Sequence, residues 1–239
     1  MGENVDNVEV GDKIYAATLM KFGAYAEYAT LPESYVRKIP GNLTLDEAAT
    51  IPTGGLNALH FLDVGKVNSG NKVLINGAGG SIGTYALQIA KSRGAKVTAV
   101  DSGIKLDMLK ENGAEEVIDY QKEDVLTKKD SFDVVIDIVG SIPIRKGVGL
   151  LRRNGRFVNG NPRLSAAITK ILTSKAGGKK VFIALAKYTD EDYLCIHSLI
   201  EQVVIKPVID KRFPLEKLSE AHQYVENGLK KGNLIISVS

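Results

Sequence analysis

The segment Val73-Leu-Ile-Asn-Gly-Ala-Gly-Gly-Ser-Ile-Gly83 constrains this chain more than any other. An apolar, β-branched strand runs straight into four glycines and then into a helical stretch, Ile82–Lys91. Gly77 and Gly79 permit a tight turn at the strand end, Gly80 lets the backbone approach a diphosphate, and Gly83 lets the helix pack closely on the sheet. The N–H groups at the helix start, at Ser81 and Ile82, point outward, and the helix dipole favours an anion there. A second strand, Lys96–Val100, follows, and Asp101 ends it 18 residues after Gly83. That offset is close to the roughly 20 residues expected of the acid that binds an adenosine ribose. A glycine-rich structural turn is the bland alternative, but strand, turn, helix, strand and acid together select dinucleotide binding. No Gly-Lys-Ser/Thr follows the turn, which excludes a P-loop.

From residue 72 onward, β-branched runs alternate with helical spacing, the pattern of a parallel sheet covered on both faces. The predicted strands are Lys72–Ile75, Lys96–Val100, Glu116–Ile118, Asp133–Ile138, Arg156–Val158 and Val181–Leu185. Six is the count of a complete doubly wound Rossmann sheet of order 3-2-1-4-5-6. Predicted helices are Ile82–Lys91, Lys105–Asn112, Arg145–Leu151, Leu164–Thr173 and Asp190–Val203, the last capped by Thr189 with Asp192. In such a sheet the crevice opens between strands 1 and 4. The adenine end then falls near Asp101, Ser102, Lys105 and Tyr120, and the nicotinamide end near Val139, Gly140, Asn159 and Gly160. Glycine at those two strand ends also has the plain reading of a strand terminator.

The chain ends differ in kind. Ile14–Ala17 and Ala24–Thr30 read as strands, Thr44 with Glu47 caps a short helix, Pro214–Glu226 reads as a helix and Leu234–Val238 as a closing strand. Residues 1–53 and 204–239 are expected to form one partial, discontinuous β domain around a cofactor domain of residues 54–203. Two strands and a short helix are not self-sufficient, so part of that sheet is expected from elsewhere.

Composition narrows the function. Apolar residues make up 44% and charged residues 25%, no apolar run approaches the roughly 20 residues of a membrane span, and no targeting signal opens the chain. A cytoplasmic location and no membrane partner follow as expectations. The net charge is +3, and the densest basic stretch, Lys170, Lys175, Lys179 and Lys180, reads as a solvated face, so no nucleic-acid partner is expected. Cys195, the only cysteine, reads as a small core side chain. Catalytic zinc needs three converging ligands, and His60, His197 and His222 read as helix-surface or packed histidines, so no metal site is expected. No acid–base constellation stands out, and no catalytic residue is assigned; Tyr25 and Tyr28 read as core aromatics of a strand.

Further strings then acquire meaning together: Ala24-Tyr-Ala-Glu-Tyr28, Glu47-Ala-Ala-Thr-Ile-Pro52, Gly113-Ala-Glu-Glu-Val-Ile-Asp-Tyr120, Asp133-Val-Val-Ile-Asp-Ile-Val-Gly140, Lys206-Pro-Val-Ile-Asp210 and Glu220-Ala-His-Gln-Tyr224. With the glycine turn they resemble the zinc-free, quinone oxidoreductase-like branch of the medium-chain dehydrogenases/reductases. The resemblance covers essentially the whole chain. It implies a Rossmann domain flanked by a GroES-like catalytic domain built from both chain ends, with the start of that catalytic domain lacking here. It also implies NAD(P)H-dependent reduction of a small quinone, activated alkene or carbonyl compound, with NADPH the common cofactor. Asn57 stands where many relatives carry a threonine on the nicotinamide side, and a zinc ligand of the metal-dependent relatives would fall near Thr53 or Gly54. A homodimer is implied through the edge strand Val181-Phe-Ile-Ala-Leu-Ala186. On its own terms Asp101 favours NAD(H), since a carboxylate accepts ribose hydroxyls and repels a 2′-phosphate, whereas Ser102 and Lys105 favour NADP(H); the fixed carboxylate outweighs the flexible lysine, so a modest preference for NAD(H) is expected. Two other readings stay open: a cofactor-binding protein with little turnover, and an alcohol dehydrogenase.

Overall fold

The computed structural model describes residues 2, 5–18, 23–161, 178–183 and 188–238. Its centre is a six-stranded parallel sheet. In chain order its strands are β3 (Lys72–Asn76), β4 (Lys96–Asp101), β5 (Glu116–Asp119), β6 (Phe132–Asp137), β7 (Leu151–Asn159) and β8 (Lys180–Ile183). They lie side by side as β5-β4-β3-β6-β7-β8, the expected 3-2-1-4-5-6 order. Val73 stands opposite both Val97 and Val134, so the sheet centre is a ladder of β-branched residues. Strands buried on both faces need no polar alternation, which is why these segments read as continuous apolar runs.

The two faces are covered by different helices. Val73 and Ile75 point to one face, where α2 (Leu56–Gly65), α3 (Ser81–Ser92) and α6 (Asp190–Glu201) bring Leu59, Leu62, Tyr85, Ile89 and Ile196. Leu74 points to the other, against Ile144 and Val148 of α5 (Ile144–Leu150) and Phe157. Helix α4 (Leu106–Glu111) connects β4 to β5. The capping box of α6 forms as expected, with Thr189 and Asp192 each accepting the other's backbone N–H. The expected helix Leu164–Thr173, and residues 184 and 185 of the expected sixth strand, lie outside the described residues.

Several elements depart from the sequence reading. Helix α2 escaped it because Leu56, Ala58, Leu59, Phe61 and Leu62 are all buried, which leaves only the narrow polar row Asn57, His60 and Asp63 to mark a period. The helix is entered through a π-helical turn, Ile51–Gly55, and closed by Lys66 in the left-handed conformation. Strand β7 starts five residues earlier than Arg156, at Leu151, with a register irregularity opposite Phe132 to Val134 and with Asn154 at φ +65. Cys195 is exposed, a correction to its core reading, because Tyr193, Ile196 and Ile200 occupy the buried stripe of α6.

The chain ends form two separate two-stranded sheets. β1 (Ile14–Ala16) pairs antiparallel with β2 (Val36–Lys38), and β9 (Ile209–Pro214) pairs parallel with β10 (Asn233–Ser237). Helix α1 (Leu45–Ala49) carries the expected Thr44–Glu47 capping box, and α7 (Leu218–Glu226) precedes β10. The expected strand at Ala24–Thr30 is absent, and Tyr25 and Tyr28 are exposed rather than core residues. Their alternation suits a half-buried strand, but among the described residues no strand pairs with them, and an unpaired strand is not stable alone. The N-terminal sheet docks on α6, where the Tyr15 hydroxyl lies 2.5 Å from His197 Nε2 and the Arg37 guanidinium covers the Tyr193 ring.

Candidate cofactor site

The glycine turn sits where the strand order reverses, between β3 and β6. Gly77 adopts φ +85, which a side chain would strain, and a Cβ at Gly83 would lie 2.2 Å from the Gly77 carbonyl oxygen. Helix α3 therefore starts as close to the strand end as backbone allows. At Gly80 the situation is reversed: an added Cβ meets nothing nearer than 3.6 Å, so the surface over the turn is open. The N-terminal end of a 12-residue helix faces that opening.

At the adenosine end, Asp101 is buried and both its oxygens are engaged. Oδ2 accepts the Gly79 N–H at 2.8 Å, and Oδ1 accepts the Ser102 N–H at 2.8 Å and lies 2.9 Å from Lys105 Nζ. The carboxylate thus ties the glycine turn to the end of β4, and it does not stand free as a ribose acceptor. Lys105 lies across the turn, since a Cβ on Gly79 would come within 2.5 Å of its Cδ. The Ser102 hydroxyl is buried without a hydrogen-bond partner. A buried hydroxyl without a partner beside the Lys105–Asp101 pair is what an incoming oxygen would satisfy. Tyr120 is exposed at the end of β5, and its N–H donates to the Asp101 carbonyl.

At the nicotinamide end the order comes from a residue the sequence reading missed. Asp137 is fully buried and accepts from Asn76 Nδ2 at 2.8 Å and from the N–H groups of Gly140 and Ile142, each at 2.9 Å. Asn76 also donates to Ser141 Oγ at 2.9 Å. These bonds hold the Val139–Gly140 turn, with Val139 exposed at its tip and Gly140 at φ +74. The neighbouring turn is held by Asn159, whose Oδ1 accepts the Asn161 N–H, while Gly160 is packed so that a Cβ would meet the Phe61 ring at 2.6 Å. Asn57 stands one helical turn before Phe61 on α2 and donates to the Thr53 carbonyl at 2.8 Å. Burial raises the pKa of Tyr188, and its hydrogen bond with the Asn57 side chain opposes that shift. Only a buried acid at a strand end, Asp137 in Asp133–Gly140, hinted at this network in the sequence.

The C-terminal segment closes the turn from the other side. The Gly232 N–H donates to the Gly79 carbonyl at 2.8 Å, and Lys230 Nζ donates to Ser81 Oγ at 2.7 Å. Of the histidines, His197 meets Tyr15 and His222 lies 3.4 Å from the Tyr25 hydroxyl. Among the described residues no group of three or more His, Cys, Asp or Glu side chains converges on a point that could hold a metal ion. Gly54 has no room for a side chain, since a Cβ there would lie 2.7 Å from the Tyr85 ring. No helix among the described residues is long and apolar enough to cross a membrane.

Known proteins share this architecture. The sequence profile described as zinc-binding dehydrogenase matches residues 112–236. A 2-methylene-furan-3-one reductase of Solanum lycopersicum is 31% identical over 99% of this chain, and the human quinone oxidoreductase 27% identical over 95%. The chain spans 60% of the first relative's length and 73% of the second's. The solved quinone oxidoreductase of Coxiella burnetii superposes with a TM-score of 0.89 at 30% identity, covering all of this chain and 76% of that one. Sheet order, glycine turn and these relatives agree: the chain belongs to the zinc-binding dehydrogenase family, in the quinone oxidoreductase-like branch of the medium-chain dehydrogenases/reductases.

Proposed function

We propose that this chain binds a nicotinamide dinucleotide across the glycine turn and serves the reduction of a quinone, activated alkene or related carbonyl compound without zinc. The observation that carries the reading is the open turn at Gly80, backed by a helix start and placed at the reversal of strand order. The cofactor, when bound, supplies hydride from its nicotinamide ring. The protein binds and orients: Ser81 and Ile82 present the helix start to the diphosphate, and the turns at Val139–Gly140 and Asn159–Gly160, with Asn57, flank the ring. No side chain is assigned to move a proton, and the proton of reduction comes from water. The filled space at Gly54, near which metal-dependent relatives carry a zinc ligand, supports metal-free chemistry despite the family's name.

The domain division fits this reading. Residues 54–203 form the cofactor domain, and residues 1–53 and 204–239 are the two segments of the catalytic domain. The cofactor is NADP(H) in preference to NAD(H). This departs from the expected lean to NAD(H): Asp101 is committed to three donors, Lys105 among them, and the Ser102 hydroxyl beside them is unpartnered, so a 2′-phosphate entering there would take Lys105 over from Asp101. A homodimer through the edge strand β8 is part of the proposal.

Titration of reduced cofactor fluorescence, followed by loss of nicotinamide absorbance with a para-benzoquinone acceptor, tests the reading. Binding with turnover that survives chelators supports it. Binding without turnover leaves a cofactor-binding protein, and turnover restored only by zinc makes the chain an alcohol dehydrogenase.

A further inference from the structure

We infer that Lys230 is a second cationic ligand for the diphosphate of the dinucleotide, carried to the glycine turn by the C-terminal segment; the inference rests on the proposed cofactor reading. Lys230 lies in neither of the sequence motifs that point to the cofactor. It reaches the turn because residues 230–233 run against it: Gly80 forms a parallel bridge with Gly232, and the Gly232 carbonyl accepts from Ser81 Oγ at 3.1 Å. The ammonium of Lys230 is held by two uncharged oxygens, Ser81 Oγ at 2.7 Å and the Gly232 carbonyl at 2.9 Å. An ammonium has three donors, so one remains for a ligand.

Charge makes the same point. Lys105 and Lys230 both approach the turn, and the one carboxylate in contact there, Asp101, pairs with Lys105. Burial, reinforced by the neighbouring Lys105, pushes the Lys230 pKa below the ordinary lysine value, with Asp210 and Asp101 opposing. A partly buried cation beside another cation is costly unless an anion completes it. Ser81 opens α3, so the ammonium stands at the helix start, where backbone N–H groups already favour a phosphate. Two phosphates there would be met by one helix start and one ammonium. Lys105, in the turn between β4 and α4, serves the ribose 2′ position instead.

The two lysines are separated by how their loss is felt. The diphosphate is common to NADH and NADPH, so Lys230→Met is expected to weaken both alike, by about tenfold or more, the scale of one hydrogen bond to a charged group. Lys230→Arg recovers most of the affinity. Inorganic diphosphate raises the melting temperature of the wild type and not of Lys230→Met. In the wild type, which needs no variant to fold, deuterium uptake over residues 228–237 falls when NADPH is added. Wild-type affinities in Lys230→Met, a loss confined to NADPH, or unchanged uptake would each overturn the inference. If Gly83→Val abolishes binding while Lys230→Met does not, the Lys230 assignment fails and the cofactor reading survives. If the wild type binds neither dinucleotide, both fall.

Discussion

The two ends of the crevice are built on opposite principles. At the adenosine end opposite charges pair under the glycine turn: the buried Asp101 holds Lys105, Lys230 reaches the turn from the C-terminal segment, and one hydroxyl is left unpartnered. At the nicotinamide end the buried charge meets only uncharged donors: Asp137 spends its oxygens on the Asn76 amide and two backbone N–H groups that shape a turn. One end presents cations and the other a fixed shape. Substitutions at the first are therefore expected to change affinity, and substitutions at the second to change stability.

The largest effect should come from the element the two ends share. Gly83→Val places a side chain where a Cβ alone would lie 2.2 Å from the Gly77 carbonyl oxygen, so the turn itself must shift. Loss of dinucleotide binding by more than about a hundredfold is expected, with destabilisation of about 1 to 3 kcal/mol from overpacking. Gly80→Val, with open space above it, should lose binding while keeping the wild-type melting temperature. Fluorescence titration and thermal denaturation on the same samples check both, and equal loss of stability in the two variants would remove the distinction between packing glycine and contact glycine.

Asp137→Ala breaks the comparison from the nicotinamide end. It leaves two backbone N–H groups and the Asn76 amide without their acceptor in a dry interior, at about 1 to 3 kcal/mol for each donor left unsatisfied. A loss of about 3 kcal/mol in urea denaturation is expected, larger than the loss in binding once the folded fraction is counted. A variant of wild-type stability would mean that the buried network shapes nothing.

At the adenosine end the corresponding change is smaller and selective. Lys105→Gln keeps a donor for Asp101 and removes the cation. It should weaken NADPH about tenfold, or 1.4 kcal/mol, and leave NADH unchanged, because only the 2′-phosphate of NADPH loses a cation. Parallel titrations with both cofactors decide it. If the wild type already prefers NADH, Asp101 and not Lys105 governs the ribose position.

The same contrast explains what was legible in the sequence. The sheet order and the glycine turn could be read because each signal is local: Val73 to Gly83 carries its strand, turn and helix start in eleven consecutive residues. Asp101 was found by its spacing, but its partners were not, since the Gly79 N–H and Lys105 meet it only once β4 and the turn are side by side. Asp137 and Lys230 were missed because their work is done across sequence separations of 61 and 149 residues, at Asn76 and Ser81. Helix α2 was missed because its polar row, Asn57, His60 and Asp63, is narrow beside its buried side. The strand expected at Ala24–Thr30 failed for the converse reason: alternation predicts a strand only where another strand stands beside it.

The smallest effect lies outside both ends and sharpens the comparison by having no ligand. Tyr15 and His197 help join the N-terminal sheet to α6, with the hydroxyl 2.5 Å from Nε2, beside the contacts of Arg37 with Tyr193 and Asp190. Burial raises the pKa of Tyr15, so it stays a phenol and donates, and His197 accepts only when neutral. Burial first, and the positive charge of Arg37 with it, lowers the pKa of His197, while Glu201 opposes. The sign follows from linkage. A histidine with a folded-state pKa below its unfolded value of 6.5 contributes its full stability above pH 6.5, and loses it as pH falls towards the folded value, because the unfolded chain then binds more protons. The ring is only half-buried, so solvent screening keeps the whole contribution below about 1 kcal/mol. Urea denaturation at pH 7.5 and pH 5.5 should show the wild type losing that increment on top of a background shared with His197→Asn. Dinucleotide affinity, corrected for the folded fraction, should not follow it, since the contact touches neither end of the crevice. A pH-dependent affinity that disappears in His197→Asn would show instead that docking of the N-terminal sheet reaches the cofactor turn, by way of α6 and the α2–α3 face it packs on.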